Sequence, residues 1–150
     1  MTILSPYKRS WLDRALVSIT AAEAGPSDLD LDSAPELDPW RPQITVIGEL
    51  VLEGDVRGHP ALGDKTIITS PIIALDPDDR WARTVSRWYR LRRHHPREGH
   101  VHRAHPYLAP LLPPDRAQID RRLQVYIEWL REMDAQDRQA RGCADKDGHR

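Results

Sequence analysis

Residues 66–91 read TIITSPIIALDPDDRWARTVSRWYRL, two apolar runs on either side of the compact turn Asp76-Pro77-Asp78-Asp79. Ile67, Ile68, Ile72 and Ile73 crowd the first run, and β-branched side chains suit a pleated, half-buried surface. Pro77 supplies the fixed φ wanted at the second position of a turn, and Asp76 and Asp78 can accept from nearby backbone N–H groups. The pattern predicts a hairpin whose first arm ends at Leu75 and whose second resumes at Trp81. Alternation then places Trp81, Arg83, Val85, Arg87, Tyr89 and Leu91 on one face, and Ala82, Thr84, Ser86, Trp88 and Arg90 on the other. Pro71 cannot donate to a ladder, so it marks a bulge, a break or an edge in the first arm.

Upstream, Gln43 to Arg57 reads as strand, with Ile44, Val46, Leu50, Val51 and Leu52 apolar. Gly48 suggests a bulge or sharp bend there, and Glu53-Gly54-Asp55 reads alternatively as a tight turn. Ser5 before Pro6 is an N-cap with Pro at the first helical position. Tyr7, Trp11, Leu12, Ala15, Leu16 and Ile19 follow at helical spacing until Gly25-Pro26. Near the other end, Asp115 with Gln118 forms a capping box, and Ile119, Leu123, Tyr126, Leu130 and Met133 trace a heptad seam widened by Val125, Ile127 and Trp129. Gly142 is the expected end of that helix.

The chain thus reads as one α+β domain over residues 1–150. The expected order is helix 6–24, an acidic proline-containing loop 25–42 with a short helical turn around Ser33 to Asp38, a β-sheet core 43–91, a basic His- and Pro-rich loop 92–114, helix 115–141 and a frayed tail 142–150. The sheet is expected to be a small antiparallel β-meander or partly open barrel, flanked by the N-terminal helix and the long C-terminal helix.

The runs Gly58-His59-Pro60, Leu62, Asp64, Thr69-Ser70, Ala74-Leu75-Asp76-Pro77, Trp81-Ala82-Arg83-Thr84 and Ser86-Arg87-Trp88-Tyr89-Arg90-Leu91 resemble a family of short uncharacterised proteins of proteobacteria and their mobile elements, a domain-of-unknown-function family. Ala34-Pro35, Leu37 and Trp40 match its upstream segment. The resemblance covers residues 10–91. It implies a shared fold and carries over no activity, cofactor or catalytic residue.

Composition narrows the function classes. The single cysteine, Cys143, excludes an intramolecular disulfide and a cysteine-only zinc site. No apolar run approaches the roughly 18 residues of a membrane span. The N-terminus lacks the basic-then-apolar layout of a signal peptide, so a cytoplasmic location is the expectation. Net charge is only −1, but it is unevenly distributed. Residues 23–55 hold nine acids and one Arg, whereas residues 80–105 hold eight Arg, five His and one Glu. Such asymmetry implies separate partners for the two segments, or a contact between them.

The strongest candidate site is the basic, aromatic-interleaved segment. Arg80, Arg83, Arg87, Arg90, Arg92, Arg93 and Arg97 can neutralise phosphates, while Trp81, Trp88 and Tyr89 offer stacking faces for unpaired bases. The competing reading makes the aromatics core and the acidic segment the arginines' internal partner. His100, His102 and His105 are the candidate metal ligands, weakened by the arginines among them and by Glu98 as the one carboxylate in the run. No phosphate loop or nucleophile elbow is present: Ser70 lacks the glycines, and His59 is the only base nearby in sequence.

The expected function is therefore non-enzymatic binding, without a cofactor. The first expectation is a nucleic-acid-binding accessory protein. The alternative is a protein-binding inhibitor or adaptor of phage or mobile-element origin, of the anti-defence, anti-CRISPR-like kind, acting on a host protein or nucleoprotein complex. No membrane partner is expected, and residues 115–141 offer a homodimer seam as the alternative to core packing.

Overall fold

Helix α1 spans Pro6–Ala24. The Ser5 hydroxyl accepts from the Lys8 N–H at 3.2 Å, Pro6 occupies the first turn, and Gly25 at φ 81° ends the helix. Leu12, Ala15, Ser18 and Ile19 are buried, whereas Tyr7, expected to begin the stripe, stands in solvent. The computed structural model describes residues 2–95, 106–109 and 114–148.

The loop expected for 25–42 is instead a short helix and most of a strand. Ser27 and Asp30 form a reciprocal capping box on α2 (Asp28–Asp32), which lies earlier than the helical turn expected around Ser33 to Asp38. Strand β1 then runs Glu36–Ile44, through Pro39 and Pro42. Prolines argue against a ladder because they lack a donor, and the geometry removes the objection. A register shift between Leu37 and Trp40 takes up Pro39, whose peptide bond to Asp38 is cis. Pro42 faces Leu52, whose N–H and C=O bond Thr69 on the other side at 3.0 and 2.9 Å. That pair needs no hydrogen bond from Pro42.

Gly48, at φ 85°, sits in the turn at Thr45–Glu49 that leads into β2 (Leu50–Arg57). Of the bulge or sharp bend expected at Gly48 the structure has the bend, a hairpin turn, and Glu53-Gly54-Asp55 lies inside a continuous strand.

The hairpin expected for residues 66–91 divides twice. Asp76–Asp79 is the turn, closed by Asp76 N–H on the Trp81 carbonyl and Asp79 N–H on the Asp76 carbonyl, both 2.9 Å. The first arm breaks at residues 69–71 into β3 (Lys65–Ile68) and β4 (Ile72–Leu75). The second breaks into β5 (Trp81–Thr84) and β6 (Trp88–Leu91), because the Thr84 hydroxyl accepts from the Ser86 and Arg87 N–H groups and turns the chain. The sheet order is β3-β2-β1-β6-β5-β4. Antiparallel ladders flank a parallel β1–β6 pair, so the sheet is mixed rather than wholly antiparallel.

Consecutive strands β3 and β4 therefore lie on opposite edges. A flat sheet of six strands would hold its edges roughly 24 Å apart, whereas the link from Ile68 to Ile72 spans at most about 14 Å. The sheet must curl. Thr69 bonds Leu52 of β2, and the Pro71 carbonyl accepts from the Val85 N–H beyond β5. The edges approach through this segment, without a β3–β4 ladder to close a barrel.

Helix α3 spans Arg116–Asp147, with both halves of the Asp115/Gln118 capping box formed. It passes through Gly142 rather than ending there. Nothing lies within 4 Å of a Cβ placed on that residue, and the helix continues to Gly148. Ile119 and Leu123 join Leu37, Trp40, Leu52, Val56, Ala82 and Tyr89 in the larger core. Leu130 meets Leu12, Ala15, Ile19, Ile73 and Val85 in a second core, where α1 and α3 pack against one another. The architecture is the expected α+β arrangement of an N-terminal helix, a small sheet and a long C-terminal helix.

Candidate functional site

The break at Val85–Arg87 changes which side chains share a face. Register pairs Trp81 with Arg90, Ala82 with Tyr89, and Arg83 with Trp88. Cross-strand partners share a face. Trp81, Arg83, Trp88 and Arg90 therefore stand together, while Ala82, Thr84, Tyr89 and Leu91 are buried on the other side. The two tryptophan rings meet edge-on at 5.3 Å, and the Arg83 guanidinium lies 5.1 Å over Trp88.

This face is not open. Arg83 donates from Nη2 to Ser18 Oγ of α1 at 2.9 Å, and its Nε is buried without a hydrogen-bond partner. Burial pulls the Arg83 guanidinium below its ordinary pKa, against the opposing pull of Asp30 on α2. Arg90 Nε donates to the Ala34 carbonyl at 3.3 Å, beside α2.

The neighbouring arginines have carboxylate partners. Arg80 Nε reaches Asp76 at 2.9 Å, Arg92 reaches Glu36 at 3.3 Å, and Arg93 reaches Asp38 at 2.9 Å. The Arg93 hydrogen bond holds Asp38 below the usual carboxylate range. Three acids of the 23–55 segment, at positions 30, 36 and 38, thus face arginines of the 80–93 segment. Arg87 makes no ion pair among the described residues. Arg97, His100, His102 and His105 lie outside them.

His59 and Ser70 are not brought together by any contact. His59 Nδ1 accepts from the Ala61 and Leu62 N–H groups at 3.0 and 3.2 Å. Burial, with Arg87 and Lys65 adding to it, lowers its pKa. Ser70 Oγ lies 3.4 Å from Ser86 Oγ. Among the described residues, no group of three His, Cys, Asp or Glu side chains could hold a metal ion. No helix there is long and apolar enough to cross a membrane.

A second surface emerges on α3. Val125 and Trp129, expected to widen the seam against the sheet, are 59% and 53% exposed. Tyr126 stacks on Trp129 at 5.9 Å. With Gly48, Gln118, Arg121 and Arg122 they line a cleft of about 370 Å³. Burial and the nearby Glu49 push the Tyr126 phenol up to about 12, so it stays neutral. The β1–β2 turn beside this cleft carries Val46 and Ile47, both exposed, and the Val46 N–H bonds the carbonyl of exposed Tyr107 at 3.0 Å. A sequence signal for this surface was present in Arg121 and Arg122: charges one turn before Val125 and two turns before Trp129 lie on the same flank of the helix as those apolar residues.

These features define a small α+β protein built on a curled, open mixed sheet, with an arginine-rich segment in which Arg80, Arg92 and Arg93 are paired with carboxylates, and an exposed apolar edge. The chain belongs to the DUF6634 family, a family of unknown function, whose model matches residues 2–145. The match extends on both sides of residues 10–91, which carry the sequence resemblance. None of the curated proteins and none of the solved structures matches.

Proposed function

We propose that this chain is a non-enzymatic, cytoplasmic binding protein whose partner is another protein, as an adaptor or an inhibitor. The observation that carries this reading is the apolar tip of the β1–β2 hairpin. Val46 and Ile47 stand in solvent beside Tyr107 on a turn held by Thr45 N–H to the Glu49 carbonyl at 2.8 Å. A rigid, solvent-facing apolar group of this kind is what a protein interface buries. A host nucleoprotein complex as the target, and a mobile element as the setting, belong to the reading through the sequence resemblance alone.

Nucleic-acid binding through Arg80–Arg97 is the second reading. It is favoured by Arg87, whose guanidinium has no acidic partner among the described residues. It is opposed by the carboxylates on Arg80, Arg92 and Arg93, which already neutralise charges that phosphates would need.

Fluorescence anisotropy with short single- and double-stranded DNA and RNA at about 50 and 200 mM salt separates the two, since phosphate contacts weaken steeply over that range. The protein reading expects no salt-sensitive binding, together with a host-extract complex that survives purification and is lost in Ile47→Asp. Micromolar nucleic-acid binding with a steep salt slope that Arg87→Ala flattens would overturn it.

A further inference from the structure

We infer that the exposed flank of α3 pairs with the same flank of a second copy of the chain, antiparallel, about a two-fold axis between Val125 and Trp129. The inference is independent of the partner-binding reading above. Val46 and Ile47 do not line the α3 cleft, although Gly48 of the same turn does.

The argument begins with spacing. Gln118, Arg122, Val125, Trp129, Glu132 and Gln136 recur at intervals of four, three, four, three and four, and all are exposed. That is a heptad stripe lying one residue behind the buried seam of Ile119, Leu123 and Leu130. The order is palindromic in chemistry: amide, cation, apolar, apolar, anion, amide. Running two copies in opposite directions sets Gln118 against Gln136, Arg122 against Glu132, and Val125 against Trp129. A parallel pairing would set Arg122 against Arg122 and Glu132 against Glu132, which like-charge repulsion disfavours.

The charges on this flank are free for a partner. Neither Arg121 nor Arg122 forms an ion pair among the described residues, and neither does Glu132. Arg122 makes only a long contact, 3.4 Å, to the Gly48 carbonyl, while Glu132 accepts from the amide of Gln136 at 3.0 Å. By contrast, on the other flanks of the same helix Arg116, Arg131, Arg138 and Arg141 all reach carboxylates.

Shape agrees. Gly48 forms one wall of the cleft without a side chain, and a Cβ there would meet nothing within 4 Å. That leaves room beside Gln118 and Arg122 for the partner's Gln136. At the centre, Trp129 with Tyr126 stacked on it is an anchor of the aromatic kind that dominates interface energetics.

Sedimentation equilibrium on the full chain, from about 5 to 500 µM, tests the pairing. The expected mass rises from 17.2 kDa towards twice that value as concentration increases. Arg122→Glu and Glu132→Arg should each weaken dimerisation at least tenfold, and the double variant, or an equimolar mixture of the two single variants, should recover it. Trp129→Ala should abolish it. All three positions are exposed, and unchanged circular dichroism and melting temperature would show the variants folded. A monomer across the whole range overturns the inference. So does a dimer that ignores both charge reversals, which would place self-association on another face.

Discussion

Gly54 lies directly opposite Trp40 across the β1–β2 ladder, and a Cβ on Gly54 would stand 2.6 Å from the Pro39 carbonyl oxygen. Trp40 is fully buried, and its indole N–H donates to the Arg92 carbonyl at 3.2 Å. The missing side chain at 54 lets the backbone around the Leu37/Trp40 register shift approach β2. Gly54→Ala must push a backbone atom away, so a loss of about 1–3 kcal/mol is expected. Urea unfolding monitored by tryptophan fluorescence would measure it, and unchanged stability would mean that β1 adjusts freely at this position.

Asp137 fastens the N-terminal segment to α3. It is 1% exposed, accepts from the Leu4 N–H at 2.7 Å, and takes further bonds from Arg9 and Arg141 at 3.0 and 2.9 Å. The Leu4 N–H, aided by the two guanidiniums and opposed by burial, lowers its pKa from 3.8 to about 2. A depressed carboxylate stabilises the fold fully above its unfolded pKa and loses that contribution as pH falls through the folded one. Asp137→Asn should therefore melt at a lower temperature near neutrality. The gap from the parent chain should narrow as pH falls from about 4 towards 2. A gap independent of pH would assign the loss to packing.

Arg83 carries a buried Nε with no partner while its guanidinium covers Trp88. Replacing a buried, incompletely bonded charge by an apolar side chain of similar length is often neutral or stabilising. Arg83→Met should stay within about 1 kcal/mol of the parent or exceed it, and it should leave any nucleic-acid affinity unchanged. A marked destabilisation would mean that the Ser18 bond and the Trp88 stack outweigh the burial penalty.

Gly142 sits inside α3 with open space around it. Glycine in a helix interior is about 1 kcal/mol less favourable than alanine. Gly142→Ala should raise stability by up to that amount, less if the last turns fray before global unfolding. Thermal melting together with amide exchange over residues 140–147 would distinguish the two cases.

Much of the local structure was readable from the chain. Ser5-Pro6, Asp115 with Gln118, and Asp76–Asp79 each settle their own geometry within four residues, because a side chain bonds a backbone N–H close to it in sequence. The buried positions Leu12, Ala15, Ile19, Ile119, Leu123 and Leu130 followed from helical periodicity. The candidate arginines were found as residues, but their circumstances were not. Glu36 and Asp38, the partners of Arg92 and Arg93, lie some 50 residues away in the chain, and the Thr84 turn reassigned the faces on which Trp88 and Tyr89 stand.

What the sequence by itself determined was the set of elements with locally satisfied ends: the first helix, the start of the last one and the central turn, along with an α+β class for the whole. What only the tertiary structure decided was strand partnership. Ile68 and Ile72 are four residues apart yet belong to opposite edges, because Thr69 and Pro71 tie the link to Leu52 and Val85 and let the sheet curl around it. β1 became the central strand despite Pro39 and Pro42, because a register shift and a non-bonded pair removed the need for their donors. Val125 and Trp129 were left in water because Ile119, Leu123 and Leu130 of the same helix are the residues that fill the two cores. Such outcomes depend on competition among distant hydrogen-bonding and apolar groups for the same space, and periodicity along the chain carries no record of that competition.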